Sequence, residues 1–82
     1  MLLSELGAGL HATVSAVVPR GDHDVIATRL GELGFVPGEP IKLVTRGPLG
    51  REPLLVQIGF TRFALRRLEA DRIVVEPAAS QA

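Results

Sequence analysis

Along the chain the spacing of apolar positions switches from two, to three or four, and back to two. From Ala12 to Val18 the residues alternate, with Val14, Ala16 and Val18 on one side and Thr13, Ser15 and Val17 on the other, which predicts a first strand. Pro19-Arg20-Gly21 breaks it. Ile26, Leu30 and Leu33 then recur at three and four, the stripe of a helix running to about Leu33, with Asp22 or Asp24 as its N-cap. Arg29 and Glu32, three apart, form a candidate ion pair on its outer side. Gly34 stands just past the helix end, where a left-handed residue is needed, and Phe35 falls where a hydrophobic contact to Leu30 is expected. Pro37 cannot continue the helix, and Pro37-Gly38 predicts a type II turn.

The period of two returns at Ile41. Ile41, Leu43 and Thr45 face one way and Lys42, Val44 and Arg46 the other, predicting a second strand over residues 41–46. Gly47 to Pro53 consists of turn residues and predicts an exposed hairpin loop. Residues 54–58 predict strand three, Gly59 a bend, and residues 61–65 strand four, with Phe63 and Leu65 on one face. Arg66 to Asp71 suits a short helical turn, and residues 73–76 strand five. At the start, Ser4 is a candidate cap for a turn whose apolar members, Leu3, Leu6 and Leu10, plug one end of the fold. These elements predict a mainly β protein, a small five-stranded barrel with one α-helix inserted between strands one and two. Residues 1–77 read as a single domain and 78–82 as a disordered tail.

Composition narrows the function. The 82 residues carry nine basic and nine acidic side chains, so the electrostatic footprint of a nucleic-acid binder is missing. With no cysteine, disulfides, thiolate metal sites and cysteine nucleophiles are excluded. No apolar run reaches the ~20 residues of a membrane span, and MLLSEL lacks a basic leader, so neither membrane insertion nor a signal peptide is predicted and a cytoplasmic location is expected. The two histidines, His11 and His23, sit near element ends, and no serine stands in a nucleophile setting. A phosphate-binding GxxxxGK[ST] loop is also missing, so no catalytic residue is assigned.

Three groups are weighed for binding. GDHD, Gly21 to Asp24, sets an imidazole between carboxylates, so His23 with Asp22, Asp24, His11 or Glu52 is a candidate for weak divalent metal binding (Fe²⁺ or Zn²⁺). Ordinary helix capping accounts for the same aspartates, and no cofactor is required. The segment Arg46, Gly47, Pro48, Leu49, Gly50, Arg51 is the candidate partner surface, an apolar residue at a loop tip between arginines, which are common interface anchors. It also offers the face for a weak homodimer. Arg62, Arg66, Arg67 and Arg72, interspersed with Glu69, Asp71 and Glu76, read as a salt-bridged solvent face. Neither Tyr nor Trp is present to wall a proline-peptide groove, and Phe35 and Phe63 are assigned to the core.

The run L-x-x-L-G-F-V-P-G-E-P-I-K-L-V from Leu30, followed by A-L-R-R-L-E-A-D-R-I-V-V-E from Ala64 to Glu76, resembles the FeoA proteins of bacterial ferrous iron uptake. The resemblance extends over most of the chain. Its signature residues Gly34, Phe35, Pro37 and Gly38 are structural. It implies an SH3-like barrel, a non-enzymatic accessory that binds the cytoplasmic GTPase part of the FeoB transporter and modulates it, recruited to the inner membrane by that partner. A similar module in DtxR-type regulators implies the alternative of a divalent metal sensor or carrier.

Overall fold

The computed structural model describes residues 1–49 and 51–78. After a 3₁₀ turn (Leu3–Glu5) come β1 (His11–Val17), α1 (Val25–Leu33), β2 (Pro40–Leu49), β3 (Glu52–Ile58), β4 (Thr61–Leu65), α2 (Arg67–Ala70) and β5 (Ile73–Pro77). All ladders are antiparallel, in the order β4-β3-β2-β1-β5. The architecture agrees with the expected five strands and inserted helix. Among the described residues, however, no ladder joins β4 to β5, so hydrogen bonding does not close the barrel, and α2 connects the two edge strands.

The helix and its exit follow the local chemistry closely. Asp24, not Asp22, is the N-cap, and its Oδ1 accepts the Ala27 N–H at 3.1 Å. At the other end Gly34 adopts φ 115°. The Gly34 N–H donates to the Gly31 carbonyl and the Phe35 N–H to the Leu30 carbonyl, each at 3.1 Å, the paired bonds of a Schellman stop. Gly38 has φ 91°, and the Glu39 N–H donates to the Val36 carbonyl across the turn. That turn docks on β1 through Gly38 N–H to Val14 O and Val14 N–H to Glu39 O. Ala27 and Leu30 are the fully buried helix residues, while Ile26 and Leu33 pack at the core's margin. Among the described residues, Arg29 and Glu32 form no ion pair.

Three register shifts interrupt the ladders, and the first two change the expected strand faces. In β1 the ladder to β5 shifts between Val14 and Ala16. Ala12 and Val14 are buried as alternation requires, but beyond the shift Val17 turns toward the core and Val18 is exposed. In β2 the ladder shifts between Leu43 and Thr45. Ile41 and Leu43 point inward as expected, but Thr45 is exposed and Arg46 comes opposite the fully buried Leu54. The period-two reading thus assigned Thr45 and Arg46 to the wrong faces, because an extra residue in a strand inverts every position after it.

Leu3, Leu6, Leu30, Phe35, Leu43, Leu54, Val56, Ile73 and Val75 form the heart of the core. Each such side chain contributes roughly 1.5–3 kcal/mol by leaving water. Phe35 meets Phe63 at 5.9 Å between ring centroids, tilted by 56°. The N-terminal plug forms, with corrections: Leu10 lies at the surface, and Ser4 caps nothing but donates its hydroxyl to Asp71 Oδ1. Of the expected tail at 78–82, residues 79–82 lie outside the described residues, and Ala78 donates its N–H to the His11 carbonyl.

Candidate functional site

The segment 47–53, expected as a loop, is mostly strand. β2 continues to Leu49 and β3 begins at Glu52, with Leu49 and Glu52 paired across the hairpin. Gly47 and Pro48 fall where the ladder shifts register between the Arg46–Leu54 and Leu49–Glu52 pairs, an irregular stretch that tolerates residues of low strand propensity. Gly47 is required by space. A Cβ there would lie 2.1 Å from the Glu52 carbonyl oxygen and 2.7 Å from Pro53 Cδ. The Glu52–Pro53 peptide is cis. Arg51 takes φ 63°, the left-handed geometry of a tight hairpin. Leu49 is 83% exposed at the tip, so it does not fold back onto the sheet. Gly50, also assigned to this surface, lies outside the described residues.

At the base of the hairpin a cavity of about 120 Å³ is lined by Ser4, Arg46, Arg51, Glu52 and Arg67. The β2 bulge creates it by turning Arg46 inward beneath the N-terminal plug. Arg46 Nη2 donates to the carbonyls of Ser4 and Leu6, the latter at 3.0 Å, while its buried Nε has no partner. Burial, with the nearby Arg51 and Arg67 charges, lowers the Arg46 pKa from its usual value. Glu52 Oε1 accepts the Arg67 backbone N–H at 2.8 Å. Among the described residues none of Arg46, Arg51 and Arg67 forms an ion pair with a carboxylate.

The expected metal residues are not gathered into one site. His11 begins β1 and His23 follows its far end, separated by a strand roughly 20 Å long. Asp24 has another task. Its Oδ2 accepts Arg72 Nε at 2.7 Å and the Arg20 N–H at 2.8 Å, joining the loop before α1 to the start of β5. The Arg72 hydrogen bond is the main cause that lowers its pKa to about 2; the Arg20 and Ala27 amides add to it, and desolvation opposes. Among the described residues no group of three or more His, Cys, Asp or Glu is placed to share a metal ion.

The expected basic face is dispersed. Arg72 is nearly buried against Asp24, Arg62 donates to Gln57 Oε1, Arg67 lines the cavity, and Arg20 approaches Asp71 at 4.0 Å. One feature went unread in the sequence. Phe60, assigned no role there, is fully exposed beside Gly59, whose φ is 58° in the turn between β3 and β4. An aromatic directly after a glycine between two short strands was the available signal.

The model of the FeoA domain matches residues 1–77. A fusion of Fe²⁺ transport protein A with the Fe²⁺ transporter FeoB, from Porphyromonas gingivalis W83, is 40% identical over 82 residues; they are 100% of this chain and 9% of that protein. The chain therefore spans under a tenth of that relative. The crystal structure of FeoA from Stenotrophomonas maltophilia, complexed with zinc, is similar at TM-score 0.86 and 56% identity, covering 93% of this chain and 89% of that one. It is described as a procaryotic SH3 domain protein with a suggested role as an activating factor of ferrous iron transport. The solution structure of iron(II) transport protein A from Clostridium thermocellum matches at TM-score 0.82 and 38% identity, over 95% of this chain and 46% of that one.

Proposed function

From a chain that belongs to the FeoA family of ferrous iron transport accessories, we infer a protein that binds the cytoplasmic GTPase part of FeoB and modulates it. The fused relative supports association, because two units joined in one polypeptide are held at high effective concentration. The observation that carries the contact is the β2–β3 hairpin, which presents Leu49 at 83% exposure near Arg51 at the end of the ladder. An apolar anchor beside arginine is a common energetic centre of protein interfaces. The protein acts on the cytoplasmic face of the membrane; among the described residues no helix is long and apolar enough to cross it.

A metal-carrying role is less well supported. A closed zinc site takes about four ligands. Here Asp24 is committed to Arg72 and Glu52 to Arg67, which leaves His23 and Asp22 as neighbouring exposed donors.

The test is an amide-resolved NMR titration of this chain with the FeoB cytoplasmic domain, with and without a GTP analogue. Shifts should concentrate at residues 46–53, and the double variant Leu49→Ala/Arg51→Ala should weaken binding about tenfold or more, a loss of at least ~1.4 kcal/mol, with its spectrum still dispersed. Unchanged affinity in that variant rejects the hairpin as the contact.

A further inference from the structure

The cavity under the hairpin carries more positive charge than the fold uses. Arg46, Arg51 and Arg67 line it against a single carboxylate, Glu52. Glu52 Oε1 already accepts the Arg67 backbone N–H. Arg46 is held firmly, since its Nη2 bonds two backbone carbonyls of the plug. Its Nε is buried without a partner, and Nη1 makes no hydrogen bond among the described residues. With both Nη2 hydrogens given to carbonyls and Nε shielded from solvent, the donors of Arg46 left for an anion are those of Nη1, a single charge-assisted contact that Arg51 and Arg67, on the same cavity wall, can complete. Arg51 is kept at the rim in left-handed geometry that glycine or asparagine adopts more easily.

Size and charge select among anions. The cavity of about 120 Å³ is well below the ~300–1,000 Å³ of sites that enclose whole small molecules, so it accepts one functional group and not a nucleotide. Glu52 on its wall repels a second negative charge and disfavours a phosphate dianion relative to a carboxylate. Leu49, paired with Glu52 across the hairpin, places an apolar anchor next to this charged socket.

We propose that this cavity is a receptor for one carboxylate group, presented by an Asp or Glu side chain of a docked protein. Arg46 receives it from within and Arg51 and Arg67 close on it from the rim. The identity of the docked protein rests on the hairpin contact inferred above; the carboxylate chemistry can be tested without it.

The experiment is a ¹H–¹⁵N titration of the full chain that follows the Arg46 Nε–Hε resonance and the amides of residues 51, 52 and 67. Sodium acetate is the carboxylate probe, inorganic phosphate the competing one, and sodium chloride holds ionic strength constant. Acetate should move these resonances along a saturating curve. Arg67→Gln, at an exposed position, should raise the half-saturating concentration at least threefold with the fold intact, and Arg46→Lys should abolish saturation. Shifts no larger than those with chloride alone overturn the proposal, as does half-saturation at a lower concentration with phosphate than with acetate. Because FeoB is absent from this titration, such a failure leaves the hairpin contact standing, and loss of FeoB binding leaves the carboxylate socket standing.

Discussion

A single aspartate illustrates how residue chemistry distributes work in this fold. Asp24 caps α1, accepts the Arg20 amide and pairs with Arg72, so one carboxylate ties three parts of the chain. Its folded pKa of about 2 lies below the unfolded value near 3.9, so the unfolded chain takes up the proton first. The stability Asp24 supplies is therefore complete above about pH 5 and is lost as pH falls towards 2. Asp24→Asn should lower the urea midpoint at pH 7 and should remove part of the decline of that midpoint between pH 5 and pH 2. Equal pH slopes in both proteins over that window would contradict the assigned coupling.

Among the elements, the β2–β3 hairpin is the most demanding of its residues. A methyl group at position 47 would meet backbone of the facing strand, between the Arg46–Leu54 and Leu49–Glu52 pairs that hold the strands together on either side. Gly47→Ala should cost roughly 1–3 kcal/mol, read as a reduced urea midpoint, with the largest amide shifts in 46–53. An unchanged midpoint would mean that the two strands separate more easily than their pairing implies. The elements themselves were legible because local signals agreed: the Schellman exit at Gly34, the turn at Gly38 and the alternation of Ile41 and Leu43 each rest on nearest neighbours. The charged cavity was not legible. It depends on a bulge near Val44 that reverses Arg46, and on Arg67 arriving from α2, and no pattern along the chain encodes either. The ion pair of Asp24 was not legible for a related reason, since Arg72 stands 48 positions away.

For the whole molecule, the order of strands in the sheet has a consequence for how quickly its parts assemble. The β3–β4 hairpin closes between Ile58 and Thr61, whereas β1 meets β5 between Val17 and Ile73. Closing the longer segment costs about 2–3 kcal/mol more in chain entropy, from the logarithm of the two lengths. The meander β2–β3–β4 is thus the natural nucleus, and β5 docks on β1 afterwards. Val56→Ala should chiefly slow refolding, while Ile73→Val should leave refolding nearly unchanged and speed unfolding, as read from the two arms of a stopped-flow chevron. The reverse pattern would place β1–β5 pairing in the transition state. With the late-docking strand also bonded to residues 1 and 2, through Val75 N–H to Met1 O and the Leu2–Val74 bridge, the N-terminal plug and β5 would come to rest together as the final event of folding.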